Sequence, residues 1–211
     1  MKNLYIIGAR GFGREVFNLF EDCRTSYPDI VCRGFLDDKT DALDGLAGYP
    51  PIISSVEDYI PGNNDVFVCA LGDVKGKRKY VEIISSKGGK FLTIKHPTAH
   101  ISANTEIGIG CIICAYAQIS CDITIGNFNT FQPFVAVGHD TIIGDYCHFN
   151  TYAFMGGYAK IGDNVTLHTG AVVHPHVSVG NDSIVGAGSV VIRKVPSNVT
   201  VYGNPAVKLN Y

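Results

Sequence analysis

From Ile101 to Val191 every sixth residue is large and apolar, sixteen positions in succession without an insertion, running through Phe131, Val137, Phe149 and Met155. Four residues after each stands a second, mostly small residue, among them Cys111, Ala117, Thr141, Cys147, Ala153 and Ser183. One short strand cannot bury such a pair of slots alone; it needs the next coil stacked on it. That is the pattern of a parallel β-helix. Gly108, Gly126, Gly144, Gly162 and Gly180 recur every eighteen residues, so three hexads make one coil. Residues 101–191 then give about five coils, a prism on the order of 24 Å tall at roughly 4.8 Å per strand.

Residues 1–93 carry no hexads and predict a separate α/β unit with a parallel sheet, leaving 94–211 to the β-helix and 94–100 as a short connection. The expected elements are a strand at Leu4 to Ile7, a helix from Arg14 to about Cys23, strands at Ile30 to Leu36 and Asp65 to Leu71, and a helix from Val74 to Ser86. Between the first strand and helix lies a loop containing Gly8, Gly11 and Gly13. Glycines there let backbone N–H groups approach a phosphate at a helix N-terminus, and Asp37 and Asp38 after the second strand suit a ribose or base. The GxxGxG spacing differs from the dinucleotide GxGxxG, and a tight ligand-free turn accounts for it equally well.

A net charge of −2 gives no support for binding nucleic acid or an anionic membrane. No long apolar run or signal peptide is visible, so a cytoplasmic location is expected. Seven scattered cysteines argue against a disulfide framework. Cys111-x-x-Cys114 lacks a partner pair for zinc, so no metal is expected there.

On the prism, His139 falls in the third slot of its hexad, an edge position. The eighteen-residue register stacks it between Cys121 and Gly157, both small, and Asp140 follows it. Histidine is the side chain best matched to taking up a proton near neutrality, and a neighbouring carboxylate can orient it. An exposed His-Asp pair at a corner is the plain alternative. His148 falls in an outward slot between Thr130 and Thr166, and His168, His174 and His176 lie higher up.

The glycine loop, the FLDDK segment, the LGD turn, the HPTA connection, the unbroken hexads, the GHD-x3-GDYCHF stretch and the closing GAGSVVIRKVPSNVTVYGNPA together carry a resemblance. The chain resembles the hexapeptide-repeat acyltransferases, nearest the sialic acid O-acetyltransferases and nucleotide-linked amino-sugar N-acetyltransferases. The resemblance implies an N-terminal Rossmann-like domain followed by a left-handed parallel β-helix, assembled as a homotrimer with acetyl-CoA between neighbouring prisms. It also implies that His139 is the general base, Asp140 its acidic companion and His148 a second active-site histidine. In the same way Gly157 offers its N–H to the thioester carbonyl, and Gly203, Asn204, Pro205 and Ala206 line the CoA end of the cleft. Gly8, Gly11, Gly13, Asp37 and Asp38 would hold the acceptor's nucleotide. Two positions depart from the family pattern: Phe12 stands where a histidine is usual, and Gln132 where an active-site Asn is common.

The implied reaction is direct acetyl transfer from acetyl-CoA to a sugar amine or hydroxyl. Alternatives are O-acetylation of sialic acid or serine, a zinc-dependent β-helix hydratase of the carbonic anhydrase type whose remaining ligands come from a neighbouring subunit, and a trimeric scaffold without activity.

Overall fold

A computed structural model describes residues 1–209. The chain forms two compact units that divide after Ile94.

In the first unit five strands make one parallel sheet: β1 (Lys2–Ile7), β2 (Ile30–Leu36), β3 (Ile52–Ser54), β4 (Asp65–Cys69) and β5 (Lys90–Phe91), in the order β3-β2-β1-β4-β5. All five residues of β4 are buried, as expected for an inner strand of a parallel sheet covered on both faces. Helix α1 (Gly11–Asp22) follows β1 and buries Val16, Leu19 and Phe20, a spacing that defines one helical face. It begins three residues before the expected Arg14, because the glycine loop supplies its own first turn. Helix α2 (Val74–Ser86) is capped by Asp73, whose carboxylate accepts from the backbone N–H of Lys75 and Gly76 at 3.3 and 2.8 Å.

The second unit is a three-faced parallel prism of two-residue strands. The first face stacks six strands from His100–Ile101 through Ala136–Val137 to Val190–Val191. The second stacks five, from Glu106–Ile107 to Ser178–Val179. The third begins at Ile94–Lys95, so the stretch read as a connection already contributes strands to the prism, and it closes with the hairpin Thr200–Gly203 and Ala206–Lys208. Partners lie eighteen residues apart, as in Ile119↔Val137 and Val137↔Met155. Beyond Val191 the last coil is shorter: Val179 pairs with Val195 and Val185 with Val201.

The core holds both ladders, with Phe131, Phe149, Met155 and Leu167 each at 0% exposure. Polar residues in the small slot have a second task. Cys111, Cys147 and Ser183 each donate from the side chain to a corner carbonyl of the following coil, Cys147 Sγ to Gly162 O at 3.0 Å and Ser183 Oγ to Pro196 O at 2.8 Å, and the Thr141 hydroxyl approaches one at 3.3 Å. Cys111 and Cys147 are therefore packing residues.

The fourth position of nearly every hexad turns the corner in the left-handed region, as at Asp122, Phe134, Asp140, Tyr158 and His176, with φ of 56–63° at the non-glycine positions from Asn104 to Asp182. At the corner between the second and third faces, an Asn/Asp ladder caps the third-position N–H groups. Asp145 Oδ1 accepts from Asn127 N at 2.6 Å, Asp163 Oδ1 from Asp145 N at 2.8 Å, and Asn181 Oδ1 from Asp163 N at 3.0 Å. The glycine ladder adjoins it because a Cβ on Gly126 would lie 2.7 Å from the Gly144 carbonyl oxygen in the coil above.

Candidate active site

The corner between the first and second faces is built differently. Gly138-His139-Asp140-Thr141 leaves the strand Ala136–Val137 and enters Ile142–Ile143. From inside, the buried Thr141 hydroxyl donates to the Gly138 carbonyl at 2.7 Å and approaches the Gly156 carbonyl at 3.3 Å, tying this turn to the one above. The His139 ring projects outward, 53% exposed, and its Nδ1 lies 2.8 Å from Asp140 Oδ2. With Nδ1–H held by the carboxylate, the Nε2 lone pair is the one available to accept a proton.

The imidazole lies over Gly157: a Cβ there would meet the His139 Cε1 and Nε2 atoms at 3.0 Å. A side chain at this position would push the ring aside by a few tenths of an ångström. Among the described residues no acceptor takes the Gly157 N–H, whereas its carbonyl accepts from His176 N at 3.0 Å. The ladder rule explains why. A third-position N–H is capped by the residue eighteen further on, and for Gly157 that residue is Pro175, which has no side-chain acceptor. Gly138 keeps the same N–H open, since a Cβ on it would stand 2.5 Å from Gly157 N. The corner thus joins a proton acceptor and an unused backbone donor, the two elements that attack on a carbonyl needs.

A groove of about 600 Å³ borders Asp140 on the second face, lined by Asp122, Thr124, Tyr158, Lys160 and His176. A smaller one of about 250 Å³, with Ser120, Ala136, Gly138 and Phe154 among its walls, borders Gly138 on the first face. The chain does not bring its other expected site residues to this corner. Gln132 sits at the corner between the third and first faces. His148 lies on the third face between Thr130 and Thr166, outside the prism core that Phe149 joins, yet it is buried at 4% exposure. Gly203 to Ala206 form the closing hairpin turn, where Gly203 pairs with Ala206 and donates its N–H to Ser189 Oγ at 3.0 Å. Among the described residues, no three His, Cys, Asp or Glu side chains converge as a metal site.

In the first unit, Gly8, Arg10, Phe12, Gly13, Asp37, Asp38 and Tyr80 line a cavity of about 480 Å³ at the carboxyl ends of β1 and β4. This is where parallel α/β sheets place nucleotides. The acids are more committed than their sequence context suggests. Asp37 accepts from Ala9 N at 2.8 Å and Lys39 N at 2.9 Å, fixing the glycine loop against β2. Asp38 accepts from Val56 N and from the Tyr80 hydroxyl, and that bond is the main reason the Tyr80 phenol is pushed up to about 12.

Sequence reasoning misses Thr141, Gly138, Pro175 and Tyr158. The signal for the last two is the eighteen-residue register applied upward from Gly157 and Asp140.

The PglD N-terminal domain family matches residues 3–84, and the bacterial transferase hexapeptide (six repeats) family matches residues 158–193. The chain is 33% identical over 122 residues to UDP-N-acetylbacillosamine N-acetyltransferase of Bacillus subtilis, covering 54% of this chain and 52% of that protein. The match thus spans about half of that relative's length. The structure of WeeI from Acinetobacter baumannii aligns with a TM-score of 0.87 at 32% identity, over 99% of this chain and 100% of that one. PerB from Caulobacter crescentus, solved in complex with CoA and GDP-perosamine, aligns with a TM-score of 0.87 at 25% identity, over 100% of this chain and 98% of that one.

Fold and corner together define a β-helix transferase preceded by a nucleotide-type α/β unit. The chain belongs to the hexapeptide-repeat acyltransferases, with an N-terminal domain of the PglD family.

Proposed function

We propose that this enzyme moves the acetyl group of acetyl-CoA onto the amine of a nucleotide-linked amino sugar, working in the cytoplasm as a homotrimer. The observation that carries the reading is the His139–Asp140 pair set over Gly157, whose N–H is used by no other group among the described residues. The amine attacks the thioester carbonyl; a C–N bond forms and the C–S bond breaks. His139 Nε2 takes the amine proton and returns it to the departing CoA thiolate. Asp140 holds the tautomer and supports the imidazolium, while the Gly157 N–H meets the developing oxyanion.

The two chain units divide the labour. Residues 1–93 hold the acceptor's nucleotide, with Gly11 and Gly13 presenting backbone N–H groups to the phosphates, Gly8, whose own N–H donates to the Leu36 carbonyl at 2.8 Å, lining the cavity without a side chain, and Asp37 and Asp38 shaping it. Residues 94–211 carry the chemistry, and Gly203, Asn204, Pro205 and Ala206 border the CoA. A trimer suits this reading because a corner site on one prism leaves an extended thioester half exposed. Gln132 and His148 stand on another corner and face, so they reach a site only at the His139 of an adjacent copy.

The test is release of CoA thiol from acetyl-CoA with a panel of UDP-, GDP- and dTDP-linked 4-amino sugars, free sialic acid and serine as acceptors. One nucleotide-linked amine should turn over, and His139→Ala should not support it. Turnover of sialic acid or serine alone would reassign the acceptor. Sedimentation of the protein as a monomer at micromolar concentration would remove the trimer.

A further inference from the structure

Bulky residues are uncommon in the left-handed turn conformation, yet this prism places aromatic rings there repeatedly. Each is stacked on the ring one coil away: Tyr116 on Phe134 at 5.2 Å, Phe134 on Tyr152 at 5.1 Å, Phe128 on Tyr146 at 4.9 Å, and Tyr158 on His176 at 4.8 Å with an interplanar angle of 6°. The Tyr158 column also touches the candidate base. Its ring stands edge-on to the His139 imidazole, centroids 5.2 Å apart at 90°, and its backbone N–H donates to the His139 carbonyl at 3.0 Å.

The contact matters because His139 has little else beside it. Its stacked neighbours are Gly157 and Cys121, and Asp140, itself 42% exposed, fixes the ring at Nδ1 only. One hydrogen bond permits the ring to swing about that point. A ring packed beside it restricts that swing.

We propose that Tyr158 is a positioning residue for His139: with His176 stacked behind it, it holds the imidazole in the orientation that directs Nε2 at the acceptor. The proposal rests on His139 being the general base, and it assigns the work to the ring of Tyr158 rather than to its hydroxyl. Misplacing a reacting group by about 1 Å can cost roughly 10²-fold in rate, so the effect belongs in kcat.

Asn occupies the same turn position at Asn104 and Asn164, with φ of 60° and 57°, so Tyr158→Asn keeps a residue this corner geometry accepts. The experiment measures kcat, both KM values and melting temperature for the full-length wild type, Tyr158→Phe, Tyr158→Asn, His139→Ala and the His139→Ala/Tyr158→Asn double variant. The acceptor is the nucleotide-linked 4-amino sugar turned over in the panel. Tyr158→Phe should keep at least half of kcat. Tyr158→Asn should lose about 10- to 100-fold in kcat with the KM for acetyl-CoA within about twofold. In the His139→Ala background Tyr158→Asn should cost nothing further, because a residue acting through His139 has nothing left to position. Tyr158→Phe falling as far as Tyr158→Asn would move the role to the hydroxyl and overturn the proposal. So would an undiminished loss in the His139→Ala background. High activity in His139→Ala itself would instead show that the base assignment fails, whatever Tyr158 does.

Discussion

The corner ladder can be transplanted into the candidate active site. At the corner between the second and third faces, Asp145 and Asp163 cap the third-position N–H one coil below at 2.6 and 2.8 Å. Pro175 holds the equivalent place above Gly157, so Pro175→Asp should deliver a carboxylate to the Gly157 N–H. Net hydrogen bonds to a charged group are worth about 1.5–3 kcal/mol, and the exposed setting favours the lower part of that range. Breaking such a bond before the N–H can serve an oxyanion should lower kcat about 10- to 100-fold, since about 1.4 kcal/mol is tenfold in rate. Loss of an oxyanion donor outright costs about 10²–10³ and sets the ceiling. Pro175→Ala adds no acceptor and should stay near wild type; Ala115 and Ala187 already occupy this slot at another corner. The assay is steady-state CoA release, with melting temperature as the control for folding. A Pro175→Asp enzyme whose introduced carboxylate accepts from Gly157 N in a crystal structure, yet whose kcat stays within about threefold of wild type, would refute the use of that N–H.

Other expectations follow from the same geometry. His139→Ala should reduce kcat about 10²–10⁴-fold with little change in melting temperature, since the side chain fills no core space; Asp140→Asn should cost less, and both are read in the CoA-release assay. In the first unit, a Cβ on Gly13 would overlap the Gly8 carbonyl, so Gly13→Ala should destabilise that unit by about 1–3 kcal/mol and weaken nucleotide binding at least tenfold. Calorimetry with GDP, UDP and NAD checks this, and tight NAD binding by the wild type would overturn the assignment of the cavity to the acceptor's nucleotide. Asp145→Ala removes the acceptor of both the backbone and side-chain N–H of Asn127 and should cost about 1–3 kcal/mol in thermal unfolding. Asp145→Asn should be nearly neutral, because Asn181 performs the same capping at its own coil.

The hexads make the prism legible because a large and a small inward slot every six residues have one stacking solution, and the eighteen-residue glycines count the coil. His139 is legible as an edge residue for the same reason: its neighbours above and below follow by adding and subtracting eighteen. Burial on the outer face is not legible this way. The same arithmetic places His148 between Thr130 and Thr166, but the period reports which side chains face the core and says nothing of what covers those that do not. Helix α1 starts within the glycines because its first-turn N–H groups need no intrahelical acceptor, so residues with poor helix propensity are tolerated there. The roles of Asp37 and Asp38 depend on Ala9, Lys39, Val56 and Tyr80, partners up to forty-two residues away that no local spacing connects.

What periodicity alone cannot distinguish is a corner that satisfies itself from one that does not. At the corner between the second and third faces the N–H groups of Ile109, Asn127, Asp145 and Asp163 each find an Asn or Asp eighteen residues on, so none of the four is left for a ligand. Along the His139 edge the register holds Cys121, His139, Gly157 and Pro175, four residues of which none caps the coil below it. His139 turns its one fixed nitrogen to Asp140 instead. The repeat therefore supplies identical backbone geometry at both corners, and the side chains decide whether its N–H groups are spent on the fold or left for substrate. The His139–Asp140 pair stands beside an unfilled rung of its own ladder, and that coincidence supports placing the proposed chemistry at this corner.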